Sequence, residues 1–290
     1  MMKNLKSQSA MEILLTYGWA ILIITVVVGS LVYLGVFSGS SLAPKAAPGA
    51  CSVYRPDGQG TIDFINLVGT CNNQIPQYVA VFNGGSSYIS TGTVALPLGS
   101  TPRSVFAWVH YTGGTNTENV IYSYGSPTAD GWASLIVEND YLGFDENSGS
   151  YYSSLSLSTA QWQFVGYTYD GGTTITLYLN GPTSQSGTIA PLNTVLAASD
   201  PSNIGAYATE QGFDFPGSIA DVQVYNATLS ANEVASLYQE GIGGVPLRLN
   251  NIVAWWPLNE NVNDYSGNLN SGTASNIIYT NTWINSYTLP

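Results

Sequence analysis

The stretch "WQFVGYTYDGGTTITLYLNG" (Trp162–Gly181) decides how the rest of the chain is read. Its second half alternates without a break. Ile175, Leu177 and Leu179 point one way, while Thr174, Thr176 and Tyr178 point the other. A period of two is the mark of a β-strand with two unlike faces. "YDGGT" (Tyr169–Thr173) before it supplies the Asp-Gly chemistry of a hairpin turn, so the two halves are expected to pair.

The same grammar extends on both sides. "QYVAVFNGGSSYIST" (Gln77–Thr91) places an Asn-Gly turn signal between two apolar runs. "SVFAWVHY" (Ser104–Tyr111) is apolar on both faces, as a strand inside a sandwich would be. One segment breaks the period of two: "LSANEVASLYQEG" (Leu229–Gly241). Ser230 and Glu233 form a capping box, Leu229 and Val234 are placed as a hydrophobic staple, and Gly241 supplies the C-cap. This predicts a helix of two to three turns covering a sandwich edge. Many short strands with one short helix give a mainly β fold, an antiparallel sandwich.

Composition narrows the function. Only 8% of the 290 residues are charged, and the net charge is −12. No basic patch exists to neutralise phosphates, which argues against nucleic acid as a partner. His110 is the sole histidine, so zinc catalysis and a Ser-His-Asp triad lack their parts. Cys51 and Cys71 would form a disulfide in an oxidising compartment, closing a loop of about 20 residues worth roughly 3 kcal/mol.

The N-terminus is different in kind. Ile13 to Phe37 is an uncharged apolar run preceded by Lys3, Lys6 and one carboxylate, Glu12. As a helix it would extend roughly 38 Å, enough to cross a bilayer with tilt. Lysines before the run put the N-terminus in the cytoplasm and the remainder outside the cell membrane. The run is long for a secretory signal, whose apolar region has about 7–15 residues. The chain thus divides into a leader and helix over 1–37, a Ser/Gly/Pro/Ala linker over 38–50, an entry segment holding both cysteines over 51–76, and the sandwich over 77–290.

"LKSQSAME" (Leu5–Glu12) resembles the class III signal peptides of archaeal type IV pilin-like proteins. That resemblance implies a prepilin-type peptidase cutting between Ser7 and Gln8, with Ser7 standing where the family more often has Gly. It also implies that Glu12 pairs with the freed amine of a neighbouring copy as helices stack into a filament. The other reading is an uncleaved single-pass anchor, embedded in membrane lipid, that never polymerises.

A second resemblance covers residues 77 to 290. "FNGGSSYI" (Phe82–Ile89), "FAWVHY" (Phe106–Tyr111), the opening stretch and "GSIADVQVYNATLSANEVASLY" (Gly217–Tyr238) follow in order the pattern of laminin G-like, concanavalin A-like jelly rolls. "VAWWPLNENVNDYSGNLNSGTA" (Val253–Ala274) looks like that family's first strand, yet it lies last. Either the domain is permuted, with 252–290 completing its own sheet, or the strand is donated to a neighbour. The resemblance implies glycan or cell-surface ligands and calcium in an Asx-rich loop, with Asp264 the candidate ligand. Since the fold also hosts glycoside hydrolases, Glu138 and Asp140 are the acids to consider, but the alternating triplet that such enzymes use is broken at Leu142 and Gly143. Asn226-Ala-Thr228 is a glycosylation sequon. The expectation is a surface adhesion protein without enzymic activity.

Overall fold

A computed structural model describes residues 17–30, the strand backbones over 51–54 and 62–65, and residues 76–114, 116–128, 130–197, 202–207, 212–288 and 290. The chain divides into two compact units, one N-terminal and one holding the sandwich. In the first, helix α1 covers 17–30 and exposes apolar side chains all round, from Tyr17 and Trp19 to Val28. No helix of the described residues is long and apolar enough to cross a membrane. The expected helix from Ile13 to Phe37 is therefore seen only in its middle, and Ser7, Gln8 and Glu12 lie outside the described residues. Strands β1 (Cys51–Tyr54) and β2 (Ile62–Ile65) pair as a two-stranded sheet. The Cys51 side chain and all of Cys71 lie outside the described residues.

The sandwich has two antiparallel sheets. The first runs, in spatial order, β12 (Thr183–Thr188), β11 (Thr174–Leu179), β10 (Gln163–Tyr169), β5 (Arg103–Tyr111), β14 (Pro216–Tyr225), β3 (Val79–Asn83) and β17 (Ile278–Thr280). The second runs β16 (Thr273–Ser275), β4 (Tyr88–Thr91), β13 (Ser202–Ile204), β6 (Glu118–Gly125), β7 (Trp132–Glu138), β8 (Tyr141–Asp145) and β9 (Tyr151–Ser156). Alternate residues from both meet in the main core, among them Val105, Ala107 and Val109 of β5, Tyr122 and Tyr124 of β6, and Tyr167 of β10.

The opening stretch forms the β10–β11 hairpin, with Tyr169 opposite Ile175. Asp170 closes its loop: one carboxylate oxygen accepts the amides of Gly172 at 2.7 Å and Thr174 at 3.1 Å. Helix α2 (Ala231–Glu240) carries the expected capping box, and Gly241 ends it with a φ of 75°, a backbone angle that favours glycine. Its place differs from expectation. Rather than an edge, it covers the outer face of the first sheet, with Val234 and Leu237 against Phe106, Trp108, Phe164 and Ala220. This explains why β5 is apolar on both sides: one face meets the opposite sheet and the other meets the helix.

The C-terminal segment pairs within its own chain. β14 exchanges partners along one edge, with Pro216–Ile219 beside β3 and Val222–Tyr225 beside β15 (Ile252–Trp256). Next, β16 joins β4 and β17 joins β3, so that with β15 the tail adds two strands to the first sheet and one to the second. Trp256 is buried in the main core, while Trp255 donates its indole N–H to Asp221 at 2.7 Å.

Candidate functional site

With the first sheet's outer face covered by α2, the second sheet's outer face carries the open chemistry. There a cleft of about 410 Å³ is lined by Glu118, Trp132, Asp145, Asn147, Ser148, Ser150, Tyr152 and Tyr207. Strand register brings these residues together. Trp132, Ser134, Ile136 and Glu138 alternate with the inward-facing Ala133, Leu135 and Val137 along β7. Across the sheet, Glu118 lies opposite Glu138, Ser134 opposite Asp145, and Gly143 opposite both Ile136 and Tyr152. Gly143 makes room for this surface, because a Cβ there would sit 3.0 Å from Ile136 and 3.1 Å from the Tyr152 ring.

The floor is aromatic. Trp132 and Tyr207 stack with centroids 4.7 Å apart and planes 13° apart. Val120, Ile136 and Phe213 pack around them. The polar groups above are unequally served. Asp145 Oδ2 accepts the Trp132 indole N–H at 2.8 Å and the Tyr207 hydroxyl at 2.9 Å. Its Oδ1 accepts the Asn147 amide at 3.2 Å and the Ser150 hydroxyl. Glu118 has only the hydroxyls of Tyr207 at 3.2 Å and Tyr152 at 3.3 Å. Tyr207 carries one hydroxyl hydrogen and faces both carboxylates, so it cannot donate to both at once.

Acids crowd together here. Burial pushes the Glu118 carboxyl up, and the charge of Asp145 adds to this. Burial, followed by Asp145, does the same to Glu138. Glu146 is fully buried beneath the rim loop, where a Cβ on Gly149 would come within 2.5 Å of its Oε1. Neither of its oxygens is in a hydrogen bond of ordinary geometry. Burial, then Asp130 and Asp145, push this carboxyl up to about 7, and the Ala190 amide offsets little of the shift. Burial and both neighbouring carboxylates drive the Tyr207 phenol far above its usual range, so it remains a donor.

Residues 83–235, more than half of the chain, match a laminin G-type family model. The chain belongs to the concanavalin A-like lectin/glucanases superfamily. Among solved structures, a candidate carbohydrate-binding protein from Bacteroides ovatus is 18% identical with a TM-score of 0.56; the match covers 76% of this chain and 64% of that one. This chain thus spans just under two thirds of the Bacteroides protein. A heptameric pentraxin resembling SAP, from Limulus polyphemus, is 17% identical with a TM-score of 0.52, over 72% of this chain and 96% of that one. At such identities the likeness is one of fold. No curated protein matches the chain.

On this concanavalin A-like framework the residues singled out by sequence fall apart. Glu138 ends β7 on the cleft's face, and Asp140 lies in the exposed β7–β8 turn; neither lines the cleft. His110 projects from the opposite sheet beside Trp162, with ring centroids 5.9 Å apart. Asn226 is exposed, and its side-chain oxygen accepts from Asn251 at 2.9 Å. Asp264 is a loop staple. Its Oδ1 accepts the amides of Trp255 and Ser266, and its Oδ2 accepts the Asn270 amide and the Ser266 hydroxyl, all within 3.0 Å. With both oxygens engaged by protein donors, it does not offer a free calcium ligand. Among the described residues no group of three or more His, Cys, Asp or Glu is arranged to hold a metal ion. The residues that do converge, Glu118, Trp132, Asp145, Tyr152 and Tyr207, were not singled out by sequence. The one signal was alternation along "WASLIVE", which puts Trp132 and Glu138 on a common face, but the strand pairings were needed to bring in the rest.

Proposed function

We infer that the sandwich binds carbohydrate in this cleft and does not turn it over. The observation carrying the reading is an aromatic pair, Trp132 on Tyr207, beside one carboxylate short of donors, Glu118. Sugar rings present apolar faces to aromatics and hydroxyl donors to carboxylates, so the two halves of the cleft suit the two halves of a sugar. The likeness in fold to the Bacteroides carbohydrate-binding candidate agrees with this. Hydrolysis by paired carboxylates needs two that are free to act. Here Asp145 is engaged on both oxygens, which leaves Glu118 alone. For the N-terminal segment the reading is a surface tether: an uncharged helix with apolar side chains all round needs lipid or copies of itself to cover it. Glu12 and the Ser7/Gln8 junction would direct that packing in a pilin-like filament.

The test is a glycan array followed by titration of the best oligosaccharide. Tyr152 is 44% exposed, so Tyr152→Ala should fold and bind about tenfold more weakly, the order of one aromatic contact. Unchanged affinity would place the ligand elsewhere. Incubating the polysaccharide panel with the protein should release no reducing sugar.

A further inference from the structure

The charge of the cleft narrows the ligand further, on the premise that the ligand is a glycan. Among the described residues, every charged group around the cleft is an acid: Glu118 and Asp145 in its wall, Glu138 opposite Glu118, and Glu146 and Asp130 at the rim. No cation of the sandwich answers them. Of the six Lys and Arg residues, only Arg103 and Arg248 fall within residues 77–290. Arg103 is buried elsewhere, bonded to Tyr124, Thr194 and the carbonyls of Gly99 and Thr101. Arg248 pairs with Glu233 of α2. His110 lies on the other sheet.

Such a wall repels carboxylated and sulfated sugars and rewards a positive group. Two further features favour a cation over a neutral sugar. Glu118 has only two long hydrogen bonds from a pair of phenols, one of them shared with Asp145. Trp132 and Tyr207, each only 3% exposed, line the same space with the more open Tyr152, and aromatic rings attract cations. We propose that the cleft takes an amino sugar, its protonated amine set against Glu118 and its ring over the Trp132–Tyr207 stack.

The experiment uses the full chain in detergent with EDTA present, titrated calorimetrically at a pH where the amine is protonated. The ligands are glucosamine tetramer, its N-acetylated counterpart, cellotetraose and sialyllactose. Glucosamine tetramer should bind about tenfold more tightly than the acetylated and neutral tetramers, and sialyllactose should not bind. Added salt should erode this preference, a readout needing no variant. Glu118→Gln should bring the amine and acetylated ligands to similar affinity. Equal or tighter binding of the acetylated, neutral or acidic sugar overturns the amine assignment and leaves the glycan reading standing. So does binding that appears only when calcium is restored. A lysine-rich peptide that outcompetes the amino sugar overturns it in favour of a protein ligand. Silence in every arm sinks the glycan reading, and the amine with it.

Discussion

Glu146 and Asp221 are carboxyls the fold buries without a cation. Burial pushes Asp221 up to about 8, the bonds from Trp255 and Gln223 notwithstanding, and Glu146 rises to about 7. In the unfolded chain both ionise near their ordinary values of 3.8 and 4.5. A folded pKa above the unfolded one gives stability that is full below the unfolded value and lost as pH rises through the folded one. The sandwich should therefore have a lower urea midpoint at about pH 8 than at about pH 5. Glu146→Gln and Asp221→Asn should each flatten that slope, and parallel slopes in wild type and variants would contradict the assignment. Arg103 is the converse case, a buried cation held by hydroxyls and carbonyls, with its guanidinium 5.7 Å from the Tyr169 ring centroid and 5.9 Å from that of Tyr124. Arg103→Ala would strand those partners. Chemical denaturation should show a loss of roughly 2–4 kcal/mol.

Among elements, helix α2 was the most legible and also the most misplaced. Its capping box, staple and C-cap depend on neighbours within a dozen residues, so sequence states them directly. Ser230→Ala should cost about 1 kcal/mol, measurable as a shift in urea midpoint without change in slope. Where the helix docks depends on which β5 face lies outward, and apolar residues at Phe106 and Val105 alike could not say. The β10–β11 hairpin was readable because Asp170, Gly171 and the alternating run after them act locally. The cleft was not, since Glu118, Asp145, Tyr152 and Tyr207 come from four separate segments. Their meeting depends on antiparallel registers and on a bulge between Val120 and Tyr122, and no local pattern records either. Asp145 ends β8, and its partners make it the cleft's most bonded acid. Asp264 shows a different ambiguity, since an Asx-rich loop reads alike whether its oxygens face a cation or, as in this fold, its own amides.

For the whole molecule, the tail is part of the sandwich. Truncation before Ile252 would remove β15, β16 and β17, together with Trp256 from the core, and should abolish cooperative unfolding in calorimetry. The N-terminal reading has its own check: mass spectrometry of the mature chain should find Gln8 first, and a chain still beginning at Met1 or Met2 would favour a simple anchor. Glu12→Ala should remove the protein from surface fibres while leaving the sandwich folded. The central claim is that sugar binds over the Trp132–Tyr207 stack, on the sheet face that α2 leaves open. Amide and indole NMR shifts of the full chain in detergent, titrated with the oligosaccharide that binds best, test it most directly. The account predicts that shifts concentrate at the Trp132 indole, Glu118, Asn147 and Tyr152. Shifts confined to the Trp108–Trp162 face, or to the loop around Asp264, would contradict it.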